Sequence, residues 1–304
     1  MGAMSVPRLG VLTAQQLPPE DLPAFAREVE ALGFDELWVV EDCFLAGGLA
    51  LAGQALAATR ELHVGVGLLP VLARNPAIAA MELAGLARMH PGRLSVAFGH
   101  GVEAWMRRIG ARPRDRLVAL REVVGAVRAL LAGERVDVAG AVVTLDAVAL
   151  DTPPRTVPPV LVGTTGARGL AIAGEVANGV LLPEGSAPEA VRWARERAGG
   201  GETVVYAWLR RGDPGLDAFR EEVQAWRRMG LYPELFARAG LSDGAPPDDV
   251  LRRLGLVGTA EDAARGLEAL AAAGAGRVVL LPPAATAEDV LRWVVEAVRP
   301  LVRG

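Results

Sequence analysis

The 304-residue sequence contains no lysine at all, and every one of its 32 cationic side chains is an arginine. Schiff-base aldolases, pyridoxal-phosphate enzymes and Walker-type nucleotide hydrolases all depend on a lysine amine, so their usual mechanisms are excluded. Cysteine is almost absent as well. A single residue, Cys43, can form no intrachain disulfide, which fits a reducing, cytoplasmic setting. The three histidines, His63, His90 and His100, lie too far apart for a local histidine-rich metal motif, and no metal is expected. No apolar run reaches the roughly 18 residues a membrane span needs. The formal net charge of −4, with no basic run, argues against nucleic acid as a partner.

Apolar residues make up 51% of the chain, enough for one large core. Met1-Gly-Ala reads as a cloning remnant ahead of a native Met4 and carries no fold information. Beyond it, strand-like and helix-like runs alternate. Strands are expected at residues 8–13, 36–40, 62–68, 93–98, 159–162, 179–182, 203–209 and 277–281. Helices are expected at 18–32, 46–58, 76–89, 114–131, 167–176, 260–273 and 287–302. Residues 136–150 alternate like a hairpin around Ala139-Gly140. Sustained strand–helix alternation forces parallel pairing, and eight such units close on themselves. The expected fold is α/β, a single (β/α)8 TIM barrel spanning residues 1–304, ahead of an open doubly wound sheet. The less regular segment 212–258, with Trp226, Met229, Tyr232 and Phe236, is expected to cap a pocket or to pack on the barrel.

In such barrels the chemistry sits on the loops after the strands. After the first strand come Thr13, Gln15 and Gln16, uncharged hydrogen-bonding groups; after the second come two adjacent acids, Glu41 and Asp42. The third strand carries glycines at 65 and 67 with Val66 between them and Leu68 after, a sign of a bulge or of something flat lying against the backbone. After the fourth strand stands Gly99-His100-Gly101, and after the fifth Gly163-Thr164-Thr165-Gly166 leads into a helix with Arg168 in its first turn. Backbone N–H groups freed by glycine, a helix start and two hydroxyls make that last segment the best anion site in the chain.

Several segments, in this order and spacing, resemble the bacterial luciferase-like flavin oxidoreductases. They are Leu32-Gly-Phe-Asp-Glu-Leu-Trp-Val-Val-Glu-Asp42, Gly65 to Pro76, and His90-Pro-Gly-Arg-Leu-Ser-Val-Ala-Phe-Gly-His-Gly101. They continue with Trp105 to Gly110, Leu130 to Glu134, Pro159 to Leu170 and Ala173 to Gly179. The likeness is greatest to the branch that includes methylenetetrahydromethanopterin reductase and other deazaflavin (F420) enzymes. The resemblance implies a barrel of the luciferase-like type with the ring of coenzyme F420, or alternatively FMN, lying across the strand ends. It implies a non-proline cis peptide in a bulge near Gly67–Leu68, and the cofactor phosphate on Gly163 to Gly166 with Arg168 beside it. Thr13, Val66, Gly67, Leu68, Gly99 and Gly101 would border the ring. Where many relatives have Asp-His after strand two, this chain has Glu41-Asp42, so Glu41, Asp42 or His100 would handle the proton. Arg74, Arg107 and Arg108 would meet the polyglutamate tail of the deazaflavin. A homodimer is expected, as in relatives. The implied activity is hydride exchange between reduced deazaflavin and a small organic C=N, C=C or C=O substrate. An FMN-dependent monooxygenase, a non-catalytic flavin-binding protein and a phosphate-binding lyase or isomerase are the alternatives.

Overall fold

A computed structural model describes residues 6–230, 233–241 and 244–302. The segment ahead of Met4 and Tyr232 lie outside the described residues. Four strands open the chain: β1 (Arg8–Leu12), β2 (Glu36–Val39), β3 (His63–Pro70) and β4 (Leu94–Gly99). The short strands β5 (Val136–Ala139) and β6 (Thr144–Val148) pair antiparallel as the expected hairpin. Five more follow: β7 (Val160–Gly163), β8 (Gly179–Leu182), β9 (Glu202–Arg211), β10 (Gly255–Gly258) and β11 (Arg277–Leu281). Eight of these run in the order β11-β1-β2-β3-β4-β7-β8-β9, and β9 pairs with both β8 and β11, so the parallel barrel is closed. Strand β10 is an addition that the sequence pattern did not announce: it pairs with Trp208–Arg211, the part of β9 that extends beyond β8.

The helices are α1 (Leu22–Ala31), α2 (Gly48–Ala58), α3 (Pro76–Met89), α4 (Glu103–Arg108), α5 (Arg116–Leu131) and α6 (Ala167–Val176). After them come α7 (Pro188–Arg197), α8 (Gly212–Arg228), α9 (Pro233–Arg238), α10 (Asp248–Leu254), α11 (Ala260–Ala272) and α12 (Ala287–Trp293). Local chemistry fixes several starts. Asn75 accepts from the Ala77 N–H with Pro76 in the first turn, Asp115 accepts from Leu117 and Val118, and Thr259 with Asp262 forms a capping box. Their apolar faces bury one continuous core against the outside of the strands. A second cluster joins Trp208 to Leu216, Phe219 and Val223 of α8 and to Val250, Leu251 and Leu254 of α10. Among the described residues no helix is long and apolar enough to cross a membrane.

Inside the barrel the packing is uneven in size. Trp38 is fully buried there with Ala97, Leu161, Leu181, Val204, Tyr206 and Val279. Its indole N–H donates to Glu36 at 2.7 Å, and its ring meets Tyr206 edge-on with centroids 5.9 Å apart. Room for so large a ring comes from glycine: a Cβ at Gly65 would lie 2.2 Å from the Trp38 ring. The flat object against the third strand is therefore this indole.

Below it a polar plug closes the amino-terminal end of the barrel. Arg277 lies 3.2 Å from the fully buried Glu36, pairs with Glu202, and donates to the Ser95 hydroxyl at 3.1 Å. Ser95 in turn lies 2.8 Å from His63 Nε2. Burial, reinforced by the Arg277 charge, pushes the His63 imidazole down to a pKa of about 3, so it is neutral in the folded protein.

Replacing Gly65 with Ala is expected to lower stability by at least roughly 1–3 kcal/mol, because backbone and indole both have to shift. Gly85→Ala in α3, where the new Cβ meets nothing within 4 Å, is expected to be neutral or stabilising by about 0.5–1 kcal/mol. Chemical denaturation of the two variants measures the contrast. For His63 the unfolded chain takes up a proton near pH 6.5 and the folded chain only near pH 3. The stabilisation this residue contributes is thus fully present above about pH 6.5 and is lost as pH falls toward 3. Denaturation midpoints across that window should fall more steeply for the wild type than for His63→Gln.

Candidate active site

A cavity of about 800 Å³ opens where the strands end. The loops after β1, β2, β4, β7 and β8 reach it with Thr13, Glu41 and Asp42, His100 and Gly101, Gly163 to Thr165, and Glu184. Strands β3 and β9 contribute Gly67, Leu68, Tyr206, Trp208 and Arg210 directly.

The floor is built by a bulge. Pairing of β3 with β4 shifts register between Gly67 and Leu69, and the Gly67–Leu68 peptide is cis, where the family resemblance puts one. A second non-proline cis peptide joins Cys43 to Phe44. The Tyr206 hydroxyl donates to the Gly67 carbonyl at 3.0 Å, and a Cβ on Gly67 would stand 2.1 Å from that oxygen. Glycine is required there because a phenol occupies the space. The Leu68 side chain drops into a notch: a Cβ at Gly99 or Gly163 would come within 2.6 or 2.5 Å of its Cδ2.

These contacts redistribute the expected site residues. Gly99 serves Leu68 and does not line the cavity. Val66 alternates to the opposite face of β3 and is fully buried in the core against the helices. Gly166 and Arg168 are exposed at the start of α6, off the cavity wall, while Thr164 and Thr165 are on it. Gly166 stands at the α6 N-cap without a side-chain capping bond.

The two adjacent acids have different surroundings. Glu41 receives Arg74 through both carboxylate oxygens, at 2.5 and 2.7 Å, and also accepts the Gly48 N–H at 3.0 Å at the start of α2. Arg74 also meets Glu82 at 3.3 Å. This arrangement ties Glu41 to holding α2 and α3, and Arg74 to two carboxylates. Asp42 accepts only the Gln15 amide N–H, and partial burial raises its pKa, with that hydrogen bond pulling the other way.

His100 lines the cavity with its Nδ1 buried and without a protein partner. Burial first, then the Arg116 charge, pushes its pKa down to about 4. At neutral pH it is an uncharged imidazole able to donate or accept one hydrogen bond. Arg107 and Arg108 are exposed on α4, and the Arg108 guanidinium sits 4.8 Å over the Phe44 ring.

Tyr206, Trp208, Arg210, Arg116 and Glu184 are wall groups that the sequence analysis does not single out. Tyr206 and Trp208 share a face of β9, which their two-residue spacing signals once β9 is known to line the barrel. Among the described residues of the segment expected to cap the pocket, Trp226 lines the cavity, stacked on Trp208 with centroids 4.3 Å apart and planes 17° apart. Met229 is 62% exposed and Phe236 is buried in the second cluster.

Residues 1–202 match the family model described as luciferase-like monooxygenase. An F420-dependent glucose-6-phosphate dehydrogenase of Kribbella flavida is 28% identical, with 96% of each chain covered. One of Beutenbergia cavernae is 31% identical over 196 residues, 60% of this chain and 58% of that protein. In three dimensions an F420-dependent secondary alcohol dehydrogenase, solved with an F420–acetone adduct, superposes over 97% of this chain with a TM-score of 0.78 at 24% identity. A barrel closed by eight strands, with its third strand bulged at the mouth and a family model matching most of its length, makes this chain a member of the luciferase-like family.

Proposed function

We propose that the chain is an F420-dependent oxidoreductase that exchanges a hydride with a C=N, C=C or C=O group of a small organic molecule. The observation that carries this reading is the floor formed by Gly67–Leu68: a flat, uncharged patch of backbone held by Tyr206, with glycines beside it and polar groups around its edge. It fits a planar ring system, and a relative matched over 96% of each chain is named as F420-dependent. Bound deazaflavin supplies hydride transfer, and the protein supplies orientation, a proton and a dry pocket.

Thr164 and Thr165, ahead of the uncapped α6 start, would hold the phosphate. The exposed Arg107 and Arg108 would meet an anionic tail leaving the mouth. His100, neutral and with its buried Nδ1 unpartnered, would hydrogen-bond the ring or the substrate. Asp42 would protonate the substrate heteroatom as the neighbouring carbon receives the hydride, with Gln15 orienting the carboxyl group. Glu41 would act at one remove, fixing the loop through Arg74 and Gly48.

Separate absorbance titrations of the apoprotein with oxidised F420 and with FMN test the reading. F420 is expected to bind at micromolar concentration and FMN more weakly; binding of neither contradicts it. Asp42→Asn is expected to keep the cofactor affinity and to slow F420-linked carbonyl reduction by about 10²–10⁴-fold.

A further inference from the structure

We infer that the substrate is a flat, uncharged, aromatic or conjugated carbonyl or imine compound that lies against the Trp208–Trp226 stack. This inference rests on the hydride-exchange reading above and adds the substrate class. Trp208 follows Tyr206 by two residues on the same face of β9, so it stands about 6–7 Å further toward the mouth than the group that holds the floor. A molecule reacting with a ring on Gly67–Leu68 would have this wall beside it.

The wall is rigid. Trp208 is 5% exposed and stacks on the half-buried Trp226, and Phe219 backs both, with centroids 5.3 Å from Trp208 and 6.0 Å from Trp226. Trp105 of α4 also lines the cavity. With Trp208 buried between Trp226 and Phe219, the half-buried Trp226 and Trp105 carry the ring surface on this side of the cavity, and aromatic surface favours planar partners through stacking in addition to area burial.

The charges select against an anion. Two arginines line the cavity. Four of the N–H donors of Arg210 are engaged, two by Glu222 and two by the Leu209 and Leu281 carbonyls. Arg116 lies at the rim, 51% exposed and 3.8 Å from Glu103. A sugar phosphate at this depth would meet arginines already engaged, and would lose its hydration without full compensation. An uncharged carbonyl needs only one proton donor at its oxygen, and Asp42 supplies it.

The test measures binding of 2-acetonaphthone and of glucose 6-phosphate by calorimetry, to the wild type, Trp226→Leu and Trp226→Phe, each saturated with oxidised F420. F420 affinity is titrated separately by absorbance. The wild type is expected to bind 2-acetonaphthone at least about tenfold more tightly than glucose 6-phosphate. Trp226→Leu should weaken 2-acetonaphthone about five- to tenfold, and Trp226→Phe should restore most of the loss, with F420 affinity unchanged. Three results would overturn the inference: glucose 6-phosphate binding as tightly as the ketone, undiminished ketone binding by Trp226→Leu, or no ketone binding at about 1 mM by a protein that binds F420. If Trp226→Leu does not fold, the wild-type comparison and Trp226→Phe decide. Failure to bind F420 counts against the cofactor reading, and the two probes are then compared on the cofactor-free protein.

Discussion

One buried indole organises the barrel. Trp38 fills the interior because Gly65 gives it space, Glu36 fixes its nitrogen, and Arg277 and Arg8 neutralise Glu36 at 3.2 and 3.3 Å. A buried carboxylate is costly unless paired, so the indole, the acid and the arginines stand or fall together. Above the indole, Tyr206 leans on its edge and reaches Gly67. The polar plug at one end of the barrel is thereby connected, through two aromatic rings, to the floor of the cavity at the other.

The same economy governs the charges around the mouth. Glu41 is met by Arg74, Arg210 by Glu222, and His100 is kept neutral by burial and by Arg116. Around these groups the wall carries Trp105, Tyr206, Trp208 and Trp226 beside leucine and proline side chains, with Asp42 and Glu184 among its acids.

The barrel was legible in the sequence because each buried strand is a short apolar run between helical periods, and the cis bulge was legible through family resemblance. Strand β10 was not, since Gly255-Leu-Val-Gly258 is too short for any period to show and forms only because β9 outruns β8. The glycines were seen but their partners were not. Gly65 answers Trp38, Gly67 answers Tyr206 and Gly99 answers Leu68, contacts that the fold makes between distant segments. In the same way Glu41 and Asp42 look alike in the chain, and only the arrival of Arg74 from beyond β3 separates a carboxylate held in an ion pair from one that meets the Gln15 amide. The Trp208–Trp226 wall joins β9 to α8 and became visible only in three dimensions.

The central claim is that Tyr206 holds the Gly67–Leu68 floor in the shape that receives the cofactor ring. Absorbance titration of oxidised F420 against the wild type and Tyr206→Phe tests it most directly. Removing the hydroxyl leaves the buried Gly67 carbonyl without its donor, and the free floor is expected to relax out of the receiving shape; restoring it on binding costs about 1–3 kcal/mol, so F420 binding to a folded variant should weaken by roughly five- to 150-fold. A folded Tyr206→Phe protein that binds F420 as tightly as the wild type would contradict the account.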